Sequence, residues 1–210
     1  VKGLEKFVGL PVDKQNKIIA GALTAFGANG YKKASVSDIA AAAGISKAMV
    51  FHYFGTKKTL YLHLMDFCSG VLMNEVEERF DQGVTDFFER IKLATIIKIS
   101  VMEKHPSVLS FLTSAYFEED EEVRKEIKHR LAAGENFRSK IAFDNMDASK
   151  FKEGVDPKLV MKILVRYAEG FVSELPNRAE FDMKVISEEF DESMNLLRNN
   201  LYKEEYLGEF

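Results

Sequence analysis

The sequence predicts an all-α fold, and three observations predict it. Apolar residues recur at three- and four-residue spacing almost throughout, the pattern of one buried helical face. Only 4 Pro and 13 Gly interrupt 210 residues, which favours long helices over a turn-rich β architecture. No stretch sustains the period-two alternation of a half-buried strand. With 46% hydrophobic and 30% charged residues the chain can bury a real core, and its length allows one large or two modest domains.

The elements follow in order. A first helix is expected from about Asp13 to Ala28, with Ile18, Ala22, Ala25 and Phe26 on its inner face and Asn29-Gly30 as a left-handed stop. Short helices over Val36–Ala43 and Lys47–Tyr53 flank a turn at Ala43-Gly44-Ile45, and Gly55-Thr56 leads into a long helix from Lys57 to Phe80. A helix from about Asp86 to Lys104 stops at His105-Pro106, where the proline opens another as a favoured first helical residue. A strongly charged helix spans about Glu121 to Phe143. Asp156-Pro157 caps an apolar helix that runs to Glu174, and Leu175-Pro176-Asn177 separates it from a last helix over Phe181–Lys203. The segment from Asp144 to Val155 is expected to be the most mobile loop.

Several classes of protein are disfavoured at once. Cys68 is the sole cysteine, so no intramolecular disulfide forms and a reducing compartment fits. No run reaches the roughly 18 apolar residues of a membrane span; the longest candidate, Ile91 to Met102, is broken by Lys92 and Lys98. The opening Val1-Lys2-Gly3-Leu4 carries no signal-peptide apolar region, so a cytoplasmic protein is expected. His52, His63, His105 and His129 share no metal-ligand spacing. The run Glu118-Glu119-Asp120-Glu121-Glu122 reads as a solvated helix start, where acids are favoured by the helix dipole. Gly55-Thr56-Lys57-Lys58-Thr59 echoes a phosphate loop but has the wrong glycine spacing and no preceding strand. Cys68 lies on an apolar face without a basic activator. The expectation is a protein that is not an enzyme and needs no cofactor or metal.

Charge is unevenly divided. The net charge is −4, yet residues 1–62 carry nine Lys against three acids, a net +6, while the remainder carries 20 bases against 30 acids. A local field, not the total, governs approach to a polyanion.

The segment Ser35 to Phe54 concentrates the functional signal. Ser35 with Asp38 three residues on is a capping-box pattern, with Asp in place of Glu. Ile39 and Ala40 face inward, and the small Ala40-Ala41-Ala42-Ala43 run permits close helix approach. Gly44 can take the positive φ of a sharp turn, Ile45 plugs the space between two crossed helices, and Ser46 caps the second. On that helix Val50 and Phe54 point to the core, leaving Lys47, Ala48, Met49, Phe51, His52 and Tyr53 outward. A short helix of this kind fits the DNA major groove, which admits one α-helix.

These residues resemble the DNA-binding domain of the TetR (tetracycline-repressor-like) family. The resemblance covers about Lys14 to Leu64: the first-helix ending Ala25-Phe26-Gly27-Ala28-Asn29-Gly30-Tyr31, the block Ser35–Phe54, and Phe51-His52-Tyr53-Phe54-Gly55-Thr56-Lys57-Lys58-Thr59-Leu60. It implies that Ser35 and Ser37 touch the phosphate backbone and that Lys47, Ala48 and Met49 face bases. Phe51 and Tyr53 would lie against sugar-phosphate and thymine methyls, and Lys57 would bind phosphate at the start of the long helix. Phe51 departs from a position that is commonly Tyr, so one hydroxyl-to-phosphate bond is missing.

The resemblance further implies two domains: residues 1–62 as the helix-turn-helix domain, with its motif at 35–54, and residues 63–210 as a helical effector-binding and dimerising domain. The last two helices would pair across a two-fold axis through Leu159, Ile163, Tyr167, Val172, Met194 and Leu197. An apolar small-molecule pocket would be lined by Phe67, Phe88, Met102, Phe111, Phe117, Phe137 and Tyr167. The expected function is a homodimeric regulator, a repressor, that binds a palindromic operator in double-stranded DNA and is released by an apolar effector. The alternative is an all-α interaction module whose helix-turn-helix contacts protein.

Overall fold

A computed structural model describes residues 2–174 and 183–207. Within them lie the helices α1 (Lys2–Val8), α2 (Val12–Lys33), α3 (Val36–Ala42), α4 (Lys47–Phe54), α5 (Lys57–Arg79), α6 (Phe87–Lys104), α7 (Pro106–Tyr116), α8 (Arg124–Phe143), α9 (Pro157–Glu174) and α10 (Met183–Leu201). The all-α expectation holds among the described residues; the nearest approach to β structure is an isolated bridge between Phe151 and Tyr202.

Helix boundaries follow the local chemistry. Pro106 occupies the first turn of α7, where its missing N–H costs nothing. Gly30 does take a positive φ of 68°, but with ψ of 179° it kinks the chain, and helical residues resume to Lys33. The charged helix begins at Arg124 rather than Glu121, after a turn. Helix α1 was not anticipated: its seven residues are short for a periodicity signal.

Two compact units divide the chain. Residues 1–78 with 100–137 form one, and 79–99 with 138–210 the other. The first unit's core centres on Phe26, whose ring meets Tyr61 edge-on at 5.0 Å and Phe111 at 6.4 Å. Ile18, Ile39, Val50, Phe54, Leu60, Leu64 and Cys68 complete it. Ser114 Oγ donates to the Phe26 carbonyl at 3.2 Å, fixing α7 along α2. Cys68 is fully buried, and burial pushes its thiol up to about 12, so it is inert core.

The second unit's core gathers Phe87, Phe88, Phe151, Val160, Leu164, Met194 and Tyr202. Arg90 is buried within this unit: Nε donates to the Ile141 carbonyl at 2.8 Å, Nη1 donates to the Val84 carbonyl, and the guanidinium lies 4.9 Å from the Phe80 ring centre. The segment 144–155, expected as a mobile loop, is instead tied down. Asp147 accepts from Ser149 N, Phe151 is buried, Lys152 N donates to the Leu201 carbonyl and Lys203 N to the Lys150 carbonyl. Its turn-rich sequence concealed a long-range anchor, Phe151, which packs on Tyr202 at 4.8 Å.

Candidate nucleic-acid interface

The geometry of α3 and α4 begins with two serines. Ser35 Oγ accepts from the backbone N–H groups of Ser37 (3.2 Å) and Asp38 (3.4 Å), and Ser46 Oγ accepts from Met49 N (3.2 Å). These bonds satisfy donors that a helix start leaves unpaired. Gly44 has φ of 67°, and Ile45, partly buried against the first core, fills the angle between the helices as expected. Val36, Ile39 and Ala40 of α3 and Val50, Tyr53 and Phe54 of α4 are buried.

The opposite side of α4 is open. Lys47, Ala48, Met49, Phe51 and His52 are exposed, with Phe51 at 40% and Met49 at 36%. Ser37 is exposed and Ser35 half-buried. Tyr53 corrects the sequence reading: it is 7% exposed and meets Phe7 of α1 edge-on at 6.3 Å. Helix α1 covers it from 46 residues away, and local periodicity carries no trace of that cover. The approach is close, since a Cβ at Gly3 would collide with the carbonyls of His52 and Tyr53. Lys6, a cation not singled out from sequence, sits at this edge with Nζ 3.3 Å from His52 Nε2.

At the start of α5, Thr56 Oγ1 accepts from Thr59 N at 3.0 Å. Lys57 is half-buried; its Nζ donates to the Lys32 carbonyl at 3.1 Å and lies 4.9 Å from the Tyr31 ring centre. An ammonium has three donors, so this anchoring orients Lys57 and leaves others for an anion. Tyr31 N in turn donates to Glu118 Oε2 at 2.6 Å. Glu118 also accepts from the backbone N–H groups of Glu119 and Asp120. The acidic run is therefore more than a solvated helix start, since Glu118 fastens the end of α2. Burial raises the Tyr31 hydroxyl above its ordinary range, with Glu122 adding to the shift.

The residues read as a pocket lining fall in both units. Phe111 belongs to the first core and Phe88 to the second. Phe67, Phe117 and Tyr167 are exposed, and Met102 and Phe137 half-buried. Among the residues read as a dimer face, Leu159 (56%), Ile163 (49%) and Tyr167 (37%) are exposed. Met194 is buried in its own chain's core, and Leu197, half-buried, packs against it. The side chain of Val172 lies outside the described residues.

A capped, glycine-turned helix pair with an open second helix, on an all-α body, defines the class of helix-turn-helix proteins. Residues 18–64 match the family model for bacterial regulatory proteins of the tetR family. The resemblance read from the motif blocks is thus borne out for that segment, and the chain as a whole has the TetR-like fold. A fatty acid degradation regulator, FadR, from Bacillus halodurans aligns with a TM-score of 0.71 and 17% identity, covering 85% of this chain and 96% of that one. A TetR family transcriptional regulator from Chloroflexus aurantiacus aligns with a TM-score of 0.68 and 18% identity, covering 95% and 98%. Among curated sequences, the nucleoid occlusion factor SlmA of Shewanella frigidimarina is 22% identical over 173 residues, covering 82% of this chain and 86% of that protein.

Proposed function

We propose that the chain is a DNA-binding transcriptional regulator, a repressor, that holds a palindromic operator as a homodimer. The observation that carries this reading is the open face of α4, with Lys47, Ala48 and Met49 in its first turn and Lys57 anchored at the next helix start. Ser35, Ser37 and Lys57 would hold phosphates, Lys47 to Met49 would meet base edges, and Phe51 would lie against sugar or thymine methyls. Tyr53 acts beneath that face as its support. One short helix binds weakly alone, and two-fold pairing places two such helices on half-sites about 34–36 Å apart. Leu159, Ile163 and Tyr167, one helical turn apart on α9, supply an apolar surface for that pairing.

Residues 1–62 serve as the DNA-binding part and 63–210 as the effector-binding and dimerising part of a cytoplasmic protein. An apolar small molecule releases the operator by binding the DNA-incompetent state more tightly. FadR of Bacillus subtilis, crystallised in complex with stearoyl-CoA, is a fold neighbour with a TM-score of 0.67 and supports a ligand with an apolar portion. The SlmA relatives, named for nucleoid occlusion, favour a second output for the same DNA-binding face.

The test is in vitro selection of duplex DNA followed by salt titration. Counterion release makes affinity fall steeply with salt. Lys57→Ala weakens binding to all sequences and lowers the salt slope by about 1 per subunit, whereas Lys47→Ala changes the preferred base. If neither variant alters affinity for the selected palindrome, α4 is not the docking helix.

A further inference from the structure

Gly30 breaks the helical path of α2 with φ of 68° and ψ of 179°, and the last turn, Tyr31 to Lys33, resumes beyond it. The first N–H after the break belongs to Tyr31. Glu118 Oε2 accepts it at 2.6 Å, reaching from the turn between α7 and α8, 87 residues along the chain. The other oxygen of the same carboxylate accepts from Glu119 N at 3.1 Å and from Asp120 N at 3.0 Å. One side of Glu118 is thus bound to its own turn and the other to α2. The approach is tight, since a Cβ at Gly30 would stand 3.2 Å from Oε2.

This clasp holds the seat of Lys57. The Lys32 carbonyl accepts from Lys57 Nζ at 3.1 Å, and the Tyr31 ring centre lies 4.9 Å from the same nitrogen. Tyr31 is buried, set edge-on against Tyr61 at 5.1 Å. Glu118, Tyr31, Lys32 and Lys57 form a continuous chain of contacts within the first unit. A lysine stem free in water gives up rotamer freedom when its ammonium meets a phosphate. Here that loss is incurred before DNA arrives, as long as the end of α2 stays in place.

We infer that Glu118 is a positioning residue for the phosphate contact of Lys57, acting through the backbone of Tyr31 and Lys32. This rests on the DNA-binding reading above and names the group that keeps its phosphate contact oriented. Charge alone gives the opposite sign of effect. An acid near a polyanion repels it, so loss of Glu118 by its field alone strengthens DNA binding. Loss of the clasp weakens it.

Anisotropy titration of the full chain against its in vitro selected duplex, at several salt concentrations, tests it. Glu118→Ala lowers affinity about 10-fold and the salt slope by about 1 per subunit, as Lys57→Ala does. In the Lys57→Ala background Glu118→Ala costs nothing further, whereas a general loosening of the domain adds in full. Glu121→Gln takes the same charge from the same turn at an exposed side chain and leaves affinity equal or higher. If Glu118→Ala does not fold, Glu118→Gln decides by the same cycle. It matches glutamate in size but replaces one accepting oxygen by an amide NH2, and it lowers affinity about 3-fold. Affinity unchanged or raised by the Glu118 variant, a loss that persists without Lys57, or an equal loss in Glu121→Gln overturns the inference. Undiminished binding by Lys57→Ala overturns it as well, and Lys47→Ala then shows whether docking through α4 survives. Failure to select any duplex removes the DNA-binding reading and this inference with it.

Discussion

The α4 face and the α9 face are both open, but they expose different chemistry. On α4 the open residues are mixed, with a lysine and a histidine among small and aromatic side chains, and the helix rests on Val50, Tyr53 and Phe54 buried in its own chain. On α9 the open residues are Leu159, Ile163 and Tyr167, while Val160 and Leu164 hold the helix to the second core. The α4 face needs nothing apolar to cover it and suits a hydrated, charged partner. The α9 face leaves a largely apolar stripe in water, and burying its apolar area against another surface is favourable by about 25 cal/mol per Å². The first kind of face works by what it presents, the second by what it hides.

That contrast breaks first at the core beneath α4. Phe26→Ala removes the ring that Tyr61 and Phe111 pack against, in a site with 0% exposure. It costs about 3–5 kcal/mol, measured by urea unfolding. A loss below about 1 kcal/mol would mean the face is not built on that core. Next comes the α9 stripe. Ile163→Asp leaves the thermal midpoint of the isolated chain nearly unchanged, because the side chain is already 49% exposed. It weakens self-association by about 30-fold or more, read by sedimentation equilibrium, as removal of an interface hot spot does. An unchanged association constant would separate α9 from the proposed pairing.

How far these faces were legible in sequence follows from the range of the interactions that make them. Gly44, Ser35 and Ser46 act on neighbours within five residues, so the α3–α4 turn and its caps could be read directly. Tyr53 could not, because its cover comes from Phe7; nor could the Asp144–Val155 segment, held by Tyr202. Met194 and Ile163 both sit on apolar stripes, and periodicity alone cannot separate the side that packs inward from the side left open. The Glu118 carboxylate reaching Tyr31 N across 87 residues is invisible to any local pattern.

Capping gives a smaller and more local test. Ser46→Ala removes the acceptor for Met49 N and costs about 1 kcal/mol, visible as a lower thermal midpoint and faster amide exchange in α4 alone. Exchange that quickens equally in α9 would mean that the two faces are not supported separately.

The smallest effect separates the two units by pH. All four histidines, at 52, 63, 105 and 129, lie in the first unit and none in the second. His63 is wedged between Phe7 at 5.5 Å and Phe54 at 5.6 Å, and burial lowers its pKa below the ordinary 6.5, with Asp66 opposing the shift. The folded state therefore favours neutral imidazole, and the unfolded chain takes up the proton first as pH falls. The stabilisation is complete above about pH 6.5 and is lost progressively below it, down through the folded-state pKa. Amide exchange in α4 and α5 should accelerate as pH falls below about 6.5, after correction for intrinsic rates, while α9 holds steady. His63→Phe, which fills the wedge with a ring that cannot titrate, should flatten that acceleration. If α9 loosens in step with α4, or the phenylalanine variant keeps the full pH dependence, the acid sensitivity does not arise from this wedge.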